Sequence, residues 1–185
     1  MDLRQIRFGI EVETVQRSRR EVACAIQSVV GGTVTHAAGP ACYDPWEVTD
    51  LRGRVWKVMA DASLVNVPRS LQAEVVSPVL QYDDLDQLQE VVRAIRRAGA
   101  TVDSTCGIHI HVDAAPFDGR RLANLAKQVY KQEPLILHAL GVSQSRQARY
   151  TRPVEDELIR NIERRRPTTT DELNRLWYGY HNTNP

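Results

Sequence analysis

Two short segments alternate apolar and polar residues strictly enough to limit what this chain can become. They are Phe8-Gly-Ile-Glu11-Val-Glu13 and Cys106-Gly-Ile-His109-Ile-His111-Val-Asp113. A period of two predicts a strand with two unlike faces. On the first, Ile6, Phe8, Ile10 and Val12 share one face, and Arg7, Glu11 and Glu13 the other. On the second, Ile108, Ile110 and Val112 oppose His109, His111 and Asp113. A strand rises about 3.3 Å per residue, so like residues stand about 6 to 7 Å apart. That spacing suits two neighbouring cations, or one cation and a base. The pair predicts a sheet with helices on its apolar face and a concave, ligand-bearing opposite face.

Solvated strand faces alone would account for alternating glutamates. They account less well for His109 and His111, two of only five histidines, set two residues apart in an otherwise aliphatic strand. Carboxylates and imidazoles gathered on facing strands are what metal chemistry requires. A metal site is the leading expectation from the residues themselves.

At 185 residues the chain can bury a core as one domain, strand-rich over 1–115 and helical over 116–185. Its formal charge of +1 gives no electrostatic footprint for nucleic acid or an anionic membrane as primary partner. No apolar stretch reaches the roughly 18 residues of a spanning helix, and the first residues lack a signal peptide's apolar run. Cys24, Cys42 and Cys106 are odd in number and widely spaced, which reads as free thiols in a reducing cytoplasm. Cys106 enters its strand behind no evident base, so it is read as packing, not as a nucleophile.

Helices are expected over Arg17–Val30, ended by Gly31-Gly32, and over Asp83–Ala98, with Asp84 and Gln87 as a cap-like pair and Leu85, Leu88, Val91, Val92 and Ile95 as the buried stripe. Others are expected over Gly119–Lys131, from Pro134 to Leu140, from Pro153 to Arg165, and after a Thr169/Glu172 capping box. Further strands are expected at Thr33–His36, at Trp46–Thr49 and Arg54–Asp61 as a hairpin, at Ala73–Leu80 with a break at Ser77-Pro78, and at Thr101–Asp103. Strands mixed with helices, then helices alone, predict an α+β fold with a mostly antiparallel sheet and helices packed on one face. The basic runs Arg17–Arg20 and Arg164–Arg166 read as solvated helix surfaces, either of which could meet phosphate.

Four segments in this order resemble the amidoligases, carboxylate–amine ligases related to glutamine synthetase and glutamate–cysteine ligase. They are the Phe8–Glu13 strand, the Asp61-Ala-Ser63-Leu64 turn preceded by Trp56, Glu74-Val-Val-Ser-Pro78-Val-Leu80, and the Cys106–Asp113 strand. A weaker likeness at Arg149-Tyr150 and Arg152-Pro153 extends it. The resemblance implies a glutamine-synthetase-like catalytic domain and ATP-dependent formation of an amide or peptide bond between amino-acid-like substrates. It implies Glu11, Glu13, Glu74 and His109 as ligands of Mg²⁺ or Mn²⁺ beneath the nucleotide phosphates. It further implies His111 as a ligand or substrate contact, Asp61 and Ser63 lining the same cavity, and Arg149 and Arg152 as contacts to phosphate or carboxylate.

The residues agree with that chemistry. Turning a carboxylate into an acyl phosphate supplies the leaving group it lacks, and moving a phosphoryl group requires charge neutralisation by carboxylate-held Mg²⁺. No Gly-rich phosphate loop is present, which places ATP on the sheet face. Family members continue into a further strand pair with another metal ligand and an arginine. This chain stops at His181-Asn-Thr-Asn-Pro185 before any such element. Its isolated form is therefore expected to fold with little ligase activity, and an exposed sheet edge would favour self-association into a homo-oligomer. Two other classes compete: a Zn- or Fe-dependent hydrolase or oxygenase built on His109, His111 and a carboxylate, and an inactive binding module.

Overall fold

The computed structural model describes residues 2–149 and 153–179. Six strands, β1 (Phe8–Val15), β2 (Thr33–His36), β3 (Trp46–Thr49), β4 (Val55–Met59), β5 (Gln72–Val76) and β6 (Ile108–Val112), form one sheet in the order β2-β3-β4-β5-β1-β6. Every pairing is antiparallel. With helices α1 (Arg19–Val30), α2 (Leu85–Arg97), α3 (Gly119–Ala139), α4 (Gln144–Arg149), α5 (Asp156–Arg165) and α6 (Thr170–Tyr178), the fold is α+β as expected. The chain divides into two compact units, Met1–Asp113 and Ala114–Pro185. Among the described residues, no helix is long and apolar enough to cross a membrane.

In the first unit, α1 and α2 cover one sheet face. Val22, Ile26 and Val30 of α1 and Val91 and Ile95 of α2 pack on Val48, Trp56, Val58, Ala73 and Val75 of the sheet. Each fully buried large side chain contributes about 1.5 to 3 kcal/mol. α1 starts at a capping box, with the Ser18 hydroxyl and Glu21 carboxylate each bonded to the other's backbone N–H. The helix layer thins towards β1. Ile10, Val12 and Ile108 line an apolar cleft of about 620 Å³, walled opposite by Leu88, Val91, Val92 and Ile95 of α2. β6 is an edge strand, with β2 at the other edge, and its apolar side is largely uncovered: Ile108 and Ile110 are each 68% exposed and Val112 55%.

Several expectations are corrected. Arg19 is not a solvated charge. It is buried, and its guanidinium donates to the carbonyls of Arg69 (2.7 Å), Gln72 (3.0 Å) and Asp44 (3.0 Å) and pairs with the Asp44 carboxylate. Asp84 and Gln87 do not cap α2. Asp84 accepts from Gln81 N–H (2.9 Å), Arg52 (2.8 Å) and Arg54 (2.9 Å), and Gln87 accepts from Arg54 (3.1 Å), so both tie the helix start to the β3–β4 turn. Val92, assigned to the buried stripe, is 43% exposed because it faces the open cleft. The break expected at Ser77-Pro78 is present: β5 stops at Val76, the Ser77 hydroxyl accepts from Ile10 N–H at 2.9 Å, and Leu80 pairs again with Phe8. Thr101–Asp103 makes a single bridge, Val15 to Thr101, and no strand.

In the second unit, α3, α5 and α6 enclose a small core of Ala123, Ala126, Ile159, Ile162 and Leu173. The Thr169/Glu172 capping box opens α6 as expected. Gly119 begins α3 against the Thr169 carbonyl, where an added Cβ would lie 2.0 Å from the oxygen, so the site requires glycine. Pro134 does not start a new helix but lies inside α3. Its fixed φ is compatible with the helix, and only one backbone bond is lost. α5 starts at Asp156 and not at Pro153, with the Val154 N–H before it donating to Glu133 at 2.9 Å.

Candidate metal centre

β1 runs between β5 and β6, and that order assembles the site. Across one pairing Glu13 stands directly opposite Glu74, and across the other Glu11 stands directly opposite His109. Neighbouring strands lie about 4.8 Å apart, so these four side chains rise from one face as a tight patch. Asp61 joins them from the loop after β4. Ser63 N–H donates to Asp61 Oδ1 at 2.7 Å, and Gln72, on the same face as Glu74, donates to the Leu64 carbonyl at 2.8 Å. These two bonds fix the loop over this end of the sheet.

Two triads of donor atoms result, each with its members within 4.8 Å of one another: Glu11, Glu74 and His109, and Glu13, Asp61 and Glu74. Glu74 belongs to both. His109 Nδ1 lies 2.8 Å from Glu11 Oε2, and His111 Nε2 lies 3.2 Å from Glu11 Oε1. His111 joins neither triad. Glu13 accepts the Gly107 N–H at 2.5 Å. At the end of the patch Arg7 donates twice to Asp113, at 2.9 and 2.7 Å, closing β1 onto β6.

The electrostatics follow from crowding four carboxylates. Glu74 is pushed up to about 7, first by burial and then by the charges of Asp61, Glu11 and Glu13. Burial chiefly raises Glu13 as well, with Asp61 adding to it. The hydrogen bond that the His109 ring donates to the Glu11 carboxylate raises His109 above its ordinary value. Like charges directly opposite on a sheet are unfavourable. A bound cation would relieve this repulsion, so cation binding here competes with protonation of Glu74.

Every residue placed in the first unit by the sequence reading lies at this patch or bonds to it. Ser63 acts through its backbone, and its hydroxyl is buried without a partner. Arg149 closes α4 in the second unit, its side chain outside what is described, and Arg152 lies outside the described residues. Gly107 was missed as the donor to Glu13. The Cys-Gly step into the strand is its only sequence signal. The Cys106 thiol is raised, mainly by burial, which disfavours the reactive thiolate.

A family model described as "Putative amidoligase enzyme" matches residues 4–185. The chain belongs to this family. The match spans both units of the amidoligase chain, including all the segments on which the resemblance rested. No curated protein and no solved structure matches this amidoligase significantly.

Proposed function

We propose that this amidoligase is an ATP- and Mg²⁺-dependent carboxylate–amine ligase working through an acyl phosphate, with a glutamine-synthetase-like arrangement of its sheet. The observation that carries the proposal is the pair of triads sharing Glu74. Four carboxylates and one imidazole form an oxygen-rich donor set suited to hard divalent cations such as Mg²⁺ or Mn²⁺, not to a structural zinc. Glu11, Glu74 and His109 would hold one cation, and Glu13, Asp61 and Glu74 a second. When bound, the cations supply the charge neutralisation that phosphoryl transfer from ATP to the substrate carboxylate demands.

The chain's own residues do the positioning. Gly107 N–H aims Glu13, Ser63 N–H aims Asp61, and Glu11 orients both imidazoles. His111, outside both triads, is assigned to the substrate side, where its ring can bind the incoming amine or carboxylate. The substrates are amino-acid-like, and the setting is the cytoplasm. The two-histidine hydrolase reading is not favoured, because His109 and His111 do not share a triad among the described residues.

The test is ADP release in the presence of Mg²⁺, a panel of amino acids and amine donors. ADP release that requires both the amine and Mg²⁺ is expected from a form supplied with the family's further strand pair, with little from residues 1–185 alone, and it should be lost in Glu74→Gln. Metal-dependent hydrolysis that proceeds without ATP would overturn the ligase reading.

A further inference from the structure

The basic run Arg164–Arg166 ends α5, and its last member adopts φ 50, ψ 60. That left-handed region is unfavourable for a residue with a Cβ, and glycine usually fills it at a helix end. The backbone role there, Arg166 N–H to Ile162 carbonyl at 2.9 Å, would be met by glycine equally well. The backbone alone gives no reason for an arginine at this position. The Arg166 side chain lines a cleft of about 680 Å³ within the second unit, between α3 and α5.

From α3, Arg120, Asn124 and Lys127 face the same cleft at i, i+4 and i+7, one side of a helix. Ala123, Ile162 and Pro167 are its buried apolar members. Three cations meet one carboxylate, Glu163. Among the described residues, none of Arg120, Lys127 and Arg166 forms an ion pair. Lys127 is half-buried, and no anionic group offsets its charge in the lining beyond Glu163. The cation excess is local. Residues 114–185 hold twelve Lys and Arg against eight Asp and Glu, whereas residues 1–113 hold twelve against fifteen.

We propose that this cleft binds a small organic phosphate, separately from the carboxylate patch on the sheet. A phosphate ester carries about −1.5 to −2 charge at neutral pH, which matches the surplus of two cations in the lining. The guanidinium forks of Arg120 and Arg166 suit its oxygens bidentately, Lys127 serves as a point charge, and the Asn124 amide is a further donor. The floor of the cleft is apolar, formed by Ala123, Ile162 and Pro167, against which a small organic group would rest. The volume lies in the range of small-ligand sites, roughly 300 to 1,000 Å³.

The experiment is calorimetric titration of the full chain in EDTA, so that the cation-dependent patch does not contribute. The probes are phenyl phosphate, inorganic phosphate and benzoate. Saturable one-to-one binding of phenyl phosphate is expected, with inorganic phosphate and benzoate each weaker. Lys127→Gln and Arg120→Gln should each lower the phenyl phosphate affinity at least tenfold. Arg166→Gly should lower it similarly while leaving the Tm unchanged or higher, since the strained conformation is relieved. The proposal is overturned by absent saturation at millimolar phenyl phosphate, by benzoate binding as tightly, by affinities unchanged in the variants, or by a lower Tm for Arg166→Gly.

Discussion

Strands β1 and β6 lie side by side and carry the same alternation, yet one apolar face is half-covered and the other largely uncovered. Ile10 and Ile110 are direct cross-strand partners on that face. Ile10 lies between the sheet and α2, and Ile110 lies mostly in solvent. On the opposite face the two strands behave as one, because Glu11 and His109 are also direct partners and bond to each other. Alternation tells which residues share a face. Position in the sheet decides what covers that face.

The comparison can be broken by a matched pair of truncations. Ile10→Ala should lower unfolding free energy by about 1 to 2 kcal/mol, less than for a fully buried aliphatic side chain because Ile10 is half-buried. Ile110→Ala should cost less than about 0.5 kcal/mol, as exposed positions do. Urea unfolding with unchanged m-values reads both. Equal costs would mean that the β6 face is covered in solution.

Titration separates the two sides of the polar face. Glu74 has its pKa raised in the folded chain, so its stabilising contribution is full below about 4.5 and is lost as pH rises through about 7. His109 is also raised, so its contribution is full below its ordinary 6.5 and is lost at higher pH, above its folded value. Metal-free protein should therefore lose stability steadily from pH 4.5 to beyond 7. For Glu74, discounting for the solvent that reaches it, the loss is about 1 to 2 kcal/mol. Glu74→Gln should flatten the lower part of the profile and His109→Gln the upper part. Thermal melts in EDTA across this range check both, and a stability that rises from pH 5 to 7.5 would contradict the assigned crowding.

The smallest effect belongs to the bridge between the strands. Arg7→Ala removes a pair between the exposed Arg7 and the half-buried Asp113 and should cost about 0.2 to 1 kcal/mol, diminishing in high salt. A salt-independent loss above that range would show that the pair is needed to hold β6 in place.

Much of this patch was legible in the residues because its parts follow a local period. Glu11, Glu13, His109 and His111 announce their shared faces within a few positions of sequence. Glu74 does not, since Gln72-Ala-Glu-Val-Val has buried residues on both faces and no clean alternation. Asp61 lies in a loop whose course depends on Ser63 N–H and Gln72, partners that no period reveals. Both residues entered through family resemblance. The misread features share another cause. Arg19 and Asp84 look like surface charges, and only tertiary contacts with Asp44, Gln72, Arg52 and Arg54 make their burial tolerable.

The central claim is that Glu74 is shared by two cation sites, and counting bound Mn²⁺ by electron paramagnetic resonance tests it most directly. The unaltered chain should bind two Mn²⁺ per molecule. Glu13→Gln should retain one, and Glu74→Gln should lose tight binding of both while the protein stays folded. A Glu74→Gln protein that still takes up two Mn²⁺ with unaltered affinity, or a native chain that takes up none, would contradict the account.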